Sequence, residues 1–243
     1  MDPAVLRDDM VDSLVHPSKG CVQSDDIAGA MRSVPRDVFV EDERAAYADR
    51  AFERFGTRVL APSTAARLLE ALAPDADDSV LVVGVGVGYT TAVLAEIVGG
   101  RHVQAVDINR QLVYEARNNL SEAGYAEVLV DCRDGADGLP EYAPYDRILL
   151  EAAAVRPPEA LLDQLSEDGQ LVMPLGTATQ SISVIDGDGD VQRLGGCAFD
   201  PMLVEGEQAN TVERNRTHRE DREFAERDAR RRKGWELDWI DWD

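Results

Sequence analysis

The sequence predicts an α/β fold, in which helices cover both faces of a mostly parallel sheet. Three observations lead to this prediction. Apolar runs alternate with helix-like segments from residue 63 to residue 176. A glycine-rich turn separates the buried run at 80–83 from the helix that follows it. The segment 181–196 has the pattern of a hairpin, which would add antiparallel strands at one edge of the sheet.

The predicted elements follow one another along the chain. Helix-like apolar spacing begins at 4–15 and 25–33, and Ser24, Asp25 and Asp26 provide a start for the second helix. The later predicted helices are 63–72, 90–98, 110–123 and 158–166. The predicted strands are 80–83, 102–108, 126–132, 145–153 and 169–176, followed by the hairpin with Gly187, Asp188 and Gly189 in its turn.

The composition changes at about residue 207. The segment 207–243 is crowded with charges of both signs and contains all three tryptophans, Trp235, Trp239 and Trp242. Their spacing would put them on one face of a helix. We therefore predict a domain over 1–206, with helices at its start, and a charged helical tail over 207–243. Docking of the tail on the domain, docking on a partner or a second copy, and a mobile tail are open alternatives.

The charge of the chain is strongly negative, with a formal net charge of -22. Lysine occurs only at positions 19 and 233. An acidic surface keeps a protein hydrated when near-molar salt screens charges within about 3 Å. We therefore expect a protein of a salt-rich cytoplasm, an ordinary acidic protein being the alternative. The same charge argues against nucleic acid as a partner.

Other features exclude whole classes of function. The sequence has no apolar run of about 18 residues, so no membrane partner is expected. Its first residues lack the pattern of a secretory signal, which makes a cytoplasmic location the expectation. The three cysteines are far apart and predict reduced thiols. The three histidines have no partners at metal-ligand spacing, so no metal site is predicted.

The glycine-rich turn contains Gly84, Gly86 and Gly88 between a strand and a helix. In that geometry a ligand can approach the backbone N–H groups at the helix start. A dinucleotide site would have a third glycine where this chain has Tyr89. The pattern instead suits an adenosyl cofactor without a pyrophosphate, and a purely structural turn is the alternative.

Two acidic residues follow at the same edge of the predicted sheet. Asp107 ends the next strand, where a carboxylate can accept hydrogen bonds from both ribose hydroxyls. Asp134 and Gly135 follow the third strand, where the acid could accept from an adenine amino group. A helix cap and a plain turn are the alternatives for these acids taken singly. Together with the glycines they favour a cofactor site.

This order of motifs resembles the class I S-adenosylmethionine-dependent methyltransferases, and the chain is similar to the protein-L-isoaspartate O-methyltransferase family in particular. The matching segments are 34–40, 46–50, 84–99, 143–154, 157–176 and 199–203. The resemblance spans about residues 5–205 and implies a Rossmann-like methyltransferase fold. It also implies S-adenosyl-L-methionine as cofactor, a protein or peptide substrate, and methylation of isoaspartyl carboxylates in damaged proteins.

The resemblance assigns roles to the candidate cofactor residues. Gly84, Gly86 and Gly88 would shape the methionine end of the pocket. Asp107 would hold the ribose, and Asp134 with Gly135 would hold the adenine.

The chain departs from the family pattern at the predicted substrate loop, which consists of Thr57, Arg58, Val59, Leu60 and Ser63. The family usually has a serine facing the reacting carboxylate, and this chain has Leu60. The usual threonine is Arg58, and the usual histidine is Ser63. Because Leu60 offers no hydrogen bond, weaker positioning of an isoaspartyl group is expected. Arg58 could bind the carboxylate instead or could pair with a surface acid.

A second departure lies in the strand before the turn, where Val82 replaces the usual acid and removes one polar contact to the cofactor. We predict a methyltransferase acting on isoaspartyl carboxylates and assign no catalytic residue. A different methyl acceptor and a noncatalytic protein that binds the cofactor or assembles through its tail are the alternatives. A nicotinamide oxidoreductase is disfavoured by Tyr89.

Overall fold

The computed structural model describes residues 2–42 and 45–203. The predicted boundary at 206 and the predicted tail at 207–243, with its tryptophans, lie outside the described residues. Within the described residues, no helix is both long and apolar enough to cross a membrane.

The described chain alternates helices and strands in the predicted order. Its α-helices are α1 (Pro3–Val15), α2 (Asp25–Ser33), α3 (Pro62–Leu72), α4 (Tyr89–Val98), α5 (Arg110–Glu122) and α6 (Glu159–Leu162). Its strands are β1 (Phe52–Arg54), β2 (Thr57–Val59), β3 (Val80–Val83), β4 (Val103–Asp107), β5 (Leu129–Cys132), β6 (Tyr145–Leu150), β7 (Leu165–Gly176), β8 (Gln180–Asp186) and β9 (Val191–Cys197).

Seven of these strands form one sheet in the order β5-β4-β3-β6-β7-β8-β9. The strands from β5 to β7 are parallel, and β8 and β9 each run antiparallel to the strand before them. This confirms the predicted mostly parallel sheet with an antiparallel hairpin at one edge. The chain leaves β3 toward β4 on one side and later returns to β6 on the other side. In sheets of this kind, ligands bind in the crevice where the strand order reverses, at the carboxyl ends of the strands. Here that crevice lies between β3 and β6.

Alternate residues of the central strand face opposite sides of the sheet. Val80 and Val82 pack in the apolar cluster on one face, whereas Leu81 and Val83 pack in the cluster on the other. All four residues are buried. A strand that is covered on both faces has apolar residues at every position. The apolar run at 80–83 therefore predicts the strand with the limits that the structure shows.

The helix predicted at 158–166 is wrong in extent, because α6 ends at Leu162 and β7 begins at Leu165. Tertiary contacts of Gln164 account for the difference. Its carbonyl oxygen accepts a hydrogen bond from the backbone of Tyr145, at 2.8 Å. Its side chain donates to the carbonyl of Asp137 at 2.9 Å and accepts from the amide of Leu139 at 2.9 Å. These bonds favour the strand over the local helix pattern.

The hairpin of β1 and β2 was not predicted. It turns through Phe55 and Gly56, which both have positive φ angles, 47° and 76°. Arg54 joins the hairpin to α5 through a two-pronged ion pair with Glu115, with N–O distances of 2.6 and 3.0 Å. The two strands have three residues each, too few for an alternating pattern to stand out. Their position matters, since β2 lies in the predicted substrate loop.

Candidate active site

A cavity lies at the carboxyl ends of the central strands. The strand ends and the start of α5 contribute Val83, Gly84, Gly86, Asp107, Ile108, Asn109, Leu112, Gly135, Leu150, Glu151 and Ala152. The hairpin and the loop after it contribute Gly56, Thr57, Arg58 and Leu60. The segment 198–203, which follows β9, closes the remaining side. The cavity therefore joins the predicted cofactor region to most of the predicted substrate loop.

The glycine turn presents open backbone to this cavity. The amides of Gly84 and Val85 both donate to the carbonyl oxygen of Val106, at 2.8 and 3.0 Å, which ties the turn to β4. Gly86 has a φ angle of +54°, and apart from its chain neighbours no described residue has an atom within 4 Å of where its Cβ would be. A side chain at this position would be strained and would fill the space beside the turn. The turn is thus a cradle that suits a ligand.

Gly88 has a different surrounding from the other two glycines. It caps the start of α4 with a φ angle of 95° and does not line the cavity. A Cβ on Gly88 would lie 3.3 Å from the side chain of Leu120 and 3.5 Å from that of Ala116. The absence of a side chain here permits close packing of α4 against α5. Only Gly84 and Gly86 of the three therefore face the cavity.

Asp107 lies at the end of β4 and is buried. One carboxylate oxygen accepts from the amide of Gly86 at 3.0 Å, and the other accepts from the amide of Asn109 at 2.8 Å. Burial raises the pKa of Asp107, and these backbone N–H groups counteract that rise. Each oxygen keeps a lone pair for a further donor. The arrangement suits a pair of ligand hydroxyl groups.

Asp134 and Gly135 are chain neighbours, but only Gly135 lines the cavity. Asp134 accepts a hydrogen bond from the amide of Ala136 at 2.9 Å and caps a short 3₁₀ turn, Gly135–Asp137. Gly135 lines the cavity, whereas Asp134 is not among the lining residues. A Cβ on Gly135 would overlap Cγ1 of Val83. The missing side chain therefore lets this turn approach β3 closely.

The predicted substrate loop is also divided. Thr57, Arg58 and Leu60 line the cavity. Val59 is buried in the apolar core. Ser63 lies in the first turn of α3, where its amide donates to the carboxylate of Asp49 at 3.0 Å.

Arg58 pairs with an acid that lines the same cavity. Its guanidinium lies 3.8 Å from the carboxylate of Asp200, and both side chains are about half exposed, at 49% and 50%. A loose and exposed pair of this kind contributes little to stability. The pairing matches one of the two predicted alternatives for Arg58, and it leaves a cation at the cavity wall.

Glu151 lines the cavity, although no sequence motif predicts it as a site residue. It follows β6 directly, and its amide donates to the carbonyl of Val83 at 2.8 Å. Its Oε1 is buried and has no hydrogen-bond partner among the described residues. Burial raises the pKa of Glu151 to about 8, a hydrogen bond from Thr90 lowers it, and the charge of Asp107 raises it. An acid directly after an apolar strand was the available signal.

The segment 198–203 was also not predicted as part of the site, although it contains one of the matching motifs. Gln180 holds it through two hydrogen bonds to the backbone of Phe199, one donated at 3.0 Å and one accepted at 2.7 Å. The amide of Met202 donates to the carbonyl of Ala153 at 2.9 Å. The amide of Ala153 in turn donates to Asp200, at 2.8 Å. These bonds fix the segment beside Glu151.

Comparison with known proteins agrees with this architecture. Residues 7–204 match the family described as Protein-L-isoaspartate(D-aspartate) O-methyltransferase (PCMT). A protein-L-isoaspartate O-methyltransferase of Aeropyrum pernix is 43% identical over 172 residues, which span 68% of this chain and 66% of that protein. One from Methanosarcina mazei is 38% identical over 198 residues, spanning 78% of this chain and 82% of that protein.

A solved structure shares the fold. It is a Plasmodium falciparum protein in complex with S-adenosyl-L-homocysteine. Its TM-score to this chain is 0.71, with 21% identity over 81% of this chain and 98% of that one.

Proposed function

We propose a function for this chain, which belongs to the protein-L-isoaspartate O-methyltransferase family: it transfers a methyl group from S-adenosyl-L-methionine to isoaspartyl carboxylates in proteins. The family match over residues 7–204 supports the reaction and the substrate class. One structural observation carries the proposal. A single cavity joins the Gly86 turn and Asp107 to the loop of Thr57, Arg58 and Leu60, so one cavity offers a place for both cofactor and acceptor.

The residues present fit the cofactor. The open backbone at Gly84 and Gly86 would hold its methionine part, and Asp107 would accept from its ribose hydroxyls. Gly135, which lines the cavity, would lie against the adenine, and Asp134 would shape that turn by capping it. When bound, S-adenosyl-L-methionine supplies an electrophilic methyl group, which a carboxylate oxygen takes while the electron pair of the broken bond stays on sulfur.

The task of the protein is alignment and exclusion of water. A carboxylate acceptor is already ionised near neutral pH, so no base has to remove a proton from it. The apolar side chains of Leu60, Leu150, Phe199 and Met202 line the cavity and keep water away from the reacting groups. The surrounding backbone bonds hold these walls in place, which favours a reactive geometry.

The proposal is tested by transfer of labelled methyl groups in molar potassium chloride. The acceptors are an isoaspartyl peptide and the matching aspartyl peptide. We expect base-labile label on the isoaspartyl peptide alone. Asp107→Asn should weaken binding of S-adenosyl-L-homocysteine about tenfold or more, because one oxygen is replaced by an amide donor. Glu167→Gln, at an exposed position near the start of β7, serves as the matched control. Absence of label on the isoaspartyl peptide, or equal label on both peptides, would refute the repair activity.

We further propose that the enzyme works in the cytoplasm and that the tail at 207–243 docks on a partner or on a second copy. The three cysteines, all in the described part of the chain, are free thiols, which suits a reducing compartment. The spacing of Trp235, Trp239 and Trp242 supports the docking. Deletion of 207–243 should change the oligomeric state measured by light scattering or remove a partner contact. An unchanged mass together with unchanged partner capture would refute it.

A further inference from the structure

Glu151 has a hydrogen-bonding atom to which no other described residue bonds. Its backbone is fixed to β3, and its Cβ would lie 3.7 Å from a Cβ on Gly84, so the residue stands beside the glycine turn. The residue lines the cavity, but its Oε1 is shielded from solvent and unpartnered among the described residues. An unsatisfied buried oxygen is costly, which suggests that a ligand satisfies it.

The surroundings of Glu151 determine its charge. Asp107, on the neighbouring side of the turn, adds negative charge, and Thr90 of α4 contributes a neutral hydroxyl. Arg58 and Asp200 line the same cavity and pair with each other. Burial and the nearby acid favour the neutral carboxyl group, whose pKa is about 8. Near neutral pH this cavity-lining side chain therefore carries an O–H donor.

The substrate loop lacks such a donor at the position where the family usually has one. Leu60 stands in place of the serine that faces the reacting carboxylate, and Leu60 and Glu151 line the same cavity. An acceptor carboxylate is attracted by an O–H group and repelled by a second carboxylate. The neutral form of Glu151 can therefore bind the acceptor, and the ionised form would oppose it.

We propose that the side chain of Glu151, in its protonated form, donates a hydrogen bond to the carboxylate of the methyl acceptor and so replaces the missing serine of the substrate loop. This inference rests on the proposed function, since it takes the acceptor to be a carboxylate. It makes Glu151 an acceptor-binding residue of this chain.

The inference has a direct consequence for pH dependence. Because the pKa of Glu151 is raised to about 8, the donor is present below that pH. Above it, deprotonation removes the donor and introduces a repelling charge. Affinity for a carboxylate acceptor should therefore fall as the pH rises through 8, while the acceptor itself stays ionised throughout.

The experiment measures binding of a fluorescent isoaspartyl peptide by anisotropy, from pH 6 to pH 10, with saturating S-adenosyl-L-homocysteine. For the unmodified chain we expect affinity to drop at least tenfold across this range. Glu151→Gln keeps an N–H donor and cannot ionise, so its affinity should not change with pH. Glu151→Leu has no donor and should bind at least fivefold more weakly at pH 6. Glu167→Gln should behave as the unmodified chain. Calorimetric titration with S-adenosyl-L-homocysteine measures cofactor affinity separately for every variant, and circular dichroism checks folding.

Three results would overturn the inference. The unmodified chain and Glu151→Gln could share one pH profile, or the unmodified chain could bind no peptide at any pH. The Glu151 variants could also lose affinity for S-adenosyl-L-homocysteine alone and keep their affinity for the peptide. The last result would assign the carboxyl group to the cofactor. Because peptide binding needs no turnover, failure of methyl transfer is distinguishable: it would refute the proposed function while the binding profile still tests Glu151.

Discussion

Nη2 of Arg36 donates a hydrogen bond of 2.6 Å to the carbonyl oxygen of Leu60. The same guanidinium donates from Nε to the carbonyl of Ala46 at 2.8 Å, and it lies 4.4 Å from the ring centroid of Tyr89. Arg36 is completely buried, and burial lowers its pKa. A buried cation from a distant part of the chain thus holds the backbone of a cavity-lining residue.

Arg36→Lys should destabilise the protein by about 2–4 kcal/mol. The planar guanidinium donates to two carbonyls at once, and the compact ammonium group of lysine cannot reach both. Urea unfolding measures the change. Arg32→Lys is the matched control, since Arg32 pairs with Asp12 at the surface and should change stability by about 0.5 kcal/mol or less. Equal effects of the two substitutions would show that the buried bonds of Arg36 do not stabilise the fold.

Gly135→Ala should cost roughly 1–3 kcal/mol of unfolding free energy, because the new methyl group would meet Val83. Adding Val83→Ala should recover part of that loss, and the double-mutant cycle measures the coupling. Gly29→Ala is the control, since no neighbouring segment in the described part of the chain comes within 4 Å of its added Cβ and alanine favours the helix α2. Strict additivity of the Gly135 and Val83 effects would contradict the predicted contact.

Leu60→Ser should tighten binding of an isoaspartyl peptide by roughly threefold to tenfold, because a hydroxyl donor returns to the cavity wall. Leu60 is only half-buried, so the cost in stability should be small. Peptide affinity at pH 7 with S-adenosyl-L-homocysteine measures the effect, and the aspartyl peptide provides the reference. An equal gain for both peptides would mean that the hydroxyl does not recognise the isoaspartyl group.

Glu151→Gln should stabilise the ligand-free protein at alkaline pH. The pKa of Glu151 is raised from 4.5 to about 8, so the folded chain holds a proton that the unfolded chain releases between these values. Stability from this group is therefore lost as the pH rises from 4.5 to 8 and is constant above. Urea unfolding at pH 5, 7 and 9 should show an advantage of the variant that grows with pH. A constant difference would contradict the raised pKa.

Potassium chloride should raise the midpoint temperature of unfolding strongly between 0.1 and 3 M. With a formal net charge of -22, the folded chain repels itself more than the expanded chain does, and salt screens that repulsion. Calorimetry across the salt series measures the effect. Sorbitol at equal osmolality is the control, and an equal rise in sorbitol would exclude charge screening as the cause.

The repeating part of the fold was predictable because its signals are local. The central strand is a continuous apolar run, and Gly84, Gly86 and Asp107 occupy fixed places relative to the strand ends, so their meeting at one cavity follows from the parallel sheet. Gly88 and Asp134 belong to the same sequence motifs but do not line the cavity. Gly88 packs against α5, and the side chain of Asp134 caps a short turn.

The missed residues depend on contacts between distant segments. Glu151 reaches the glycine turn only because β6 pairs with β3, a neighbour relation that single-sequence patterns do not reveal. Likewise, the strand that replaces the end of the predicted helix at 158–166 forms through hydrogen bonds of Gln164 to residues about 20 positions or more away.

The pairing of Gln180 with Phe199 has an evolutionary consequence. One side chain on β8 occupies both backbone groups of Phe199, so the wall at 198–203 is attached to the sheet without being a strand of it. Arg36 attaches the wall at Leu60 in a similar way. Substitutions on these walls can therefore accumulate while the turn at Gly86 and its carboxylate partner Asp107 stay unchanged. Such separate attachment should let the acceptor side of the cavity be altered by substitution without rebuilding the cofactor side.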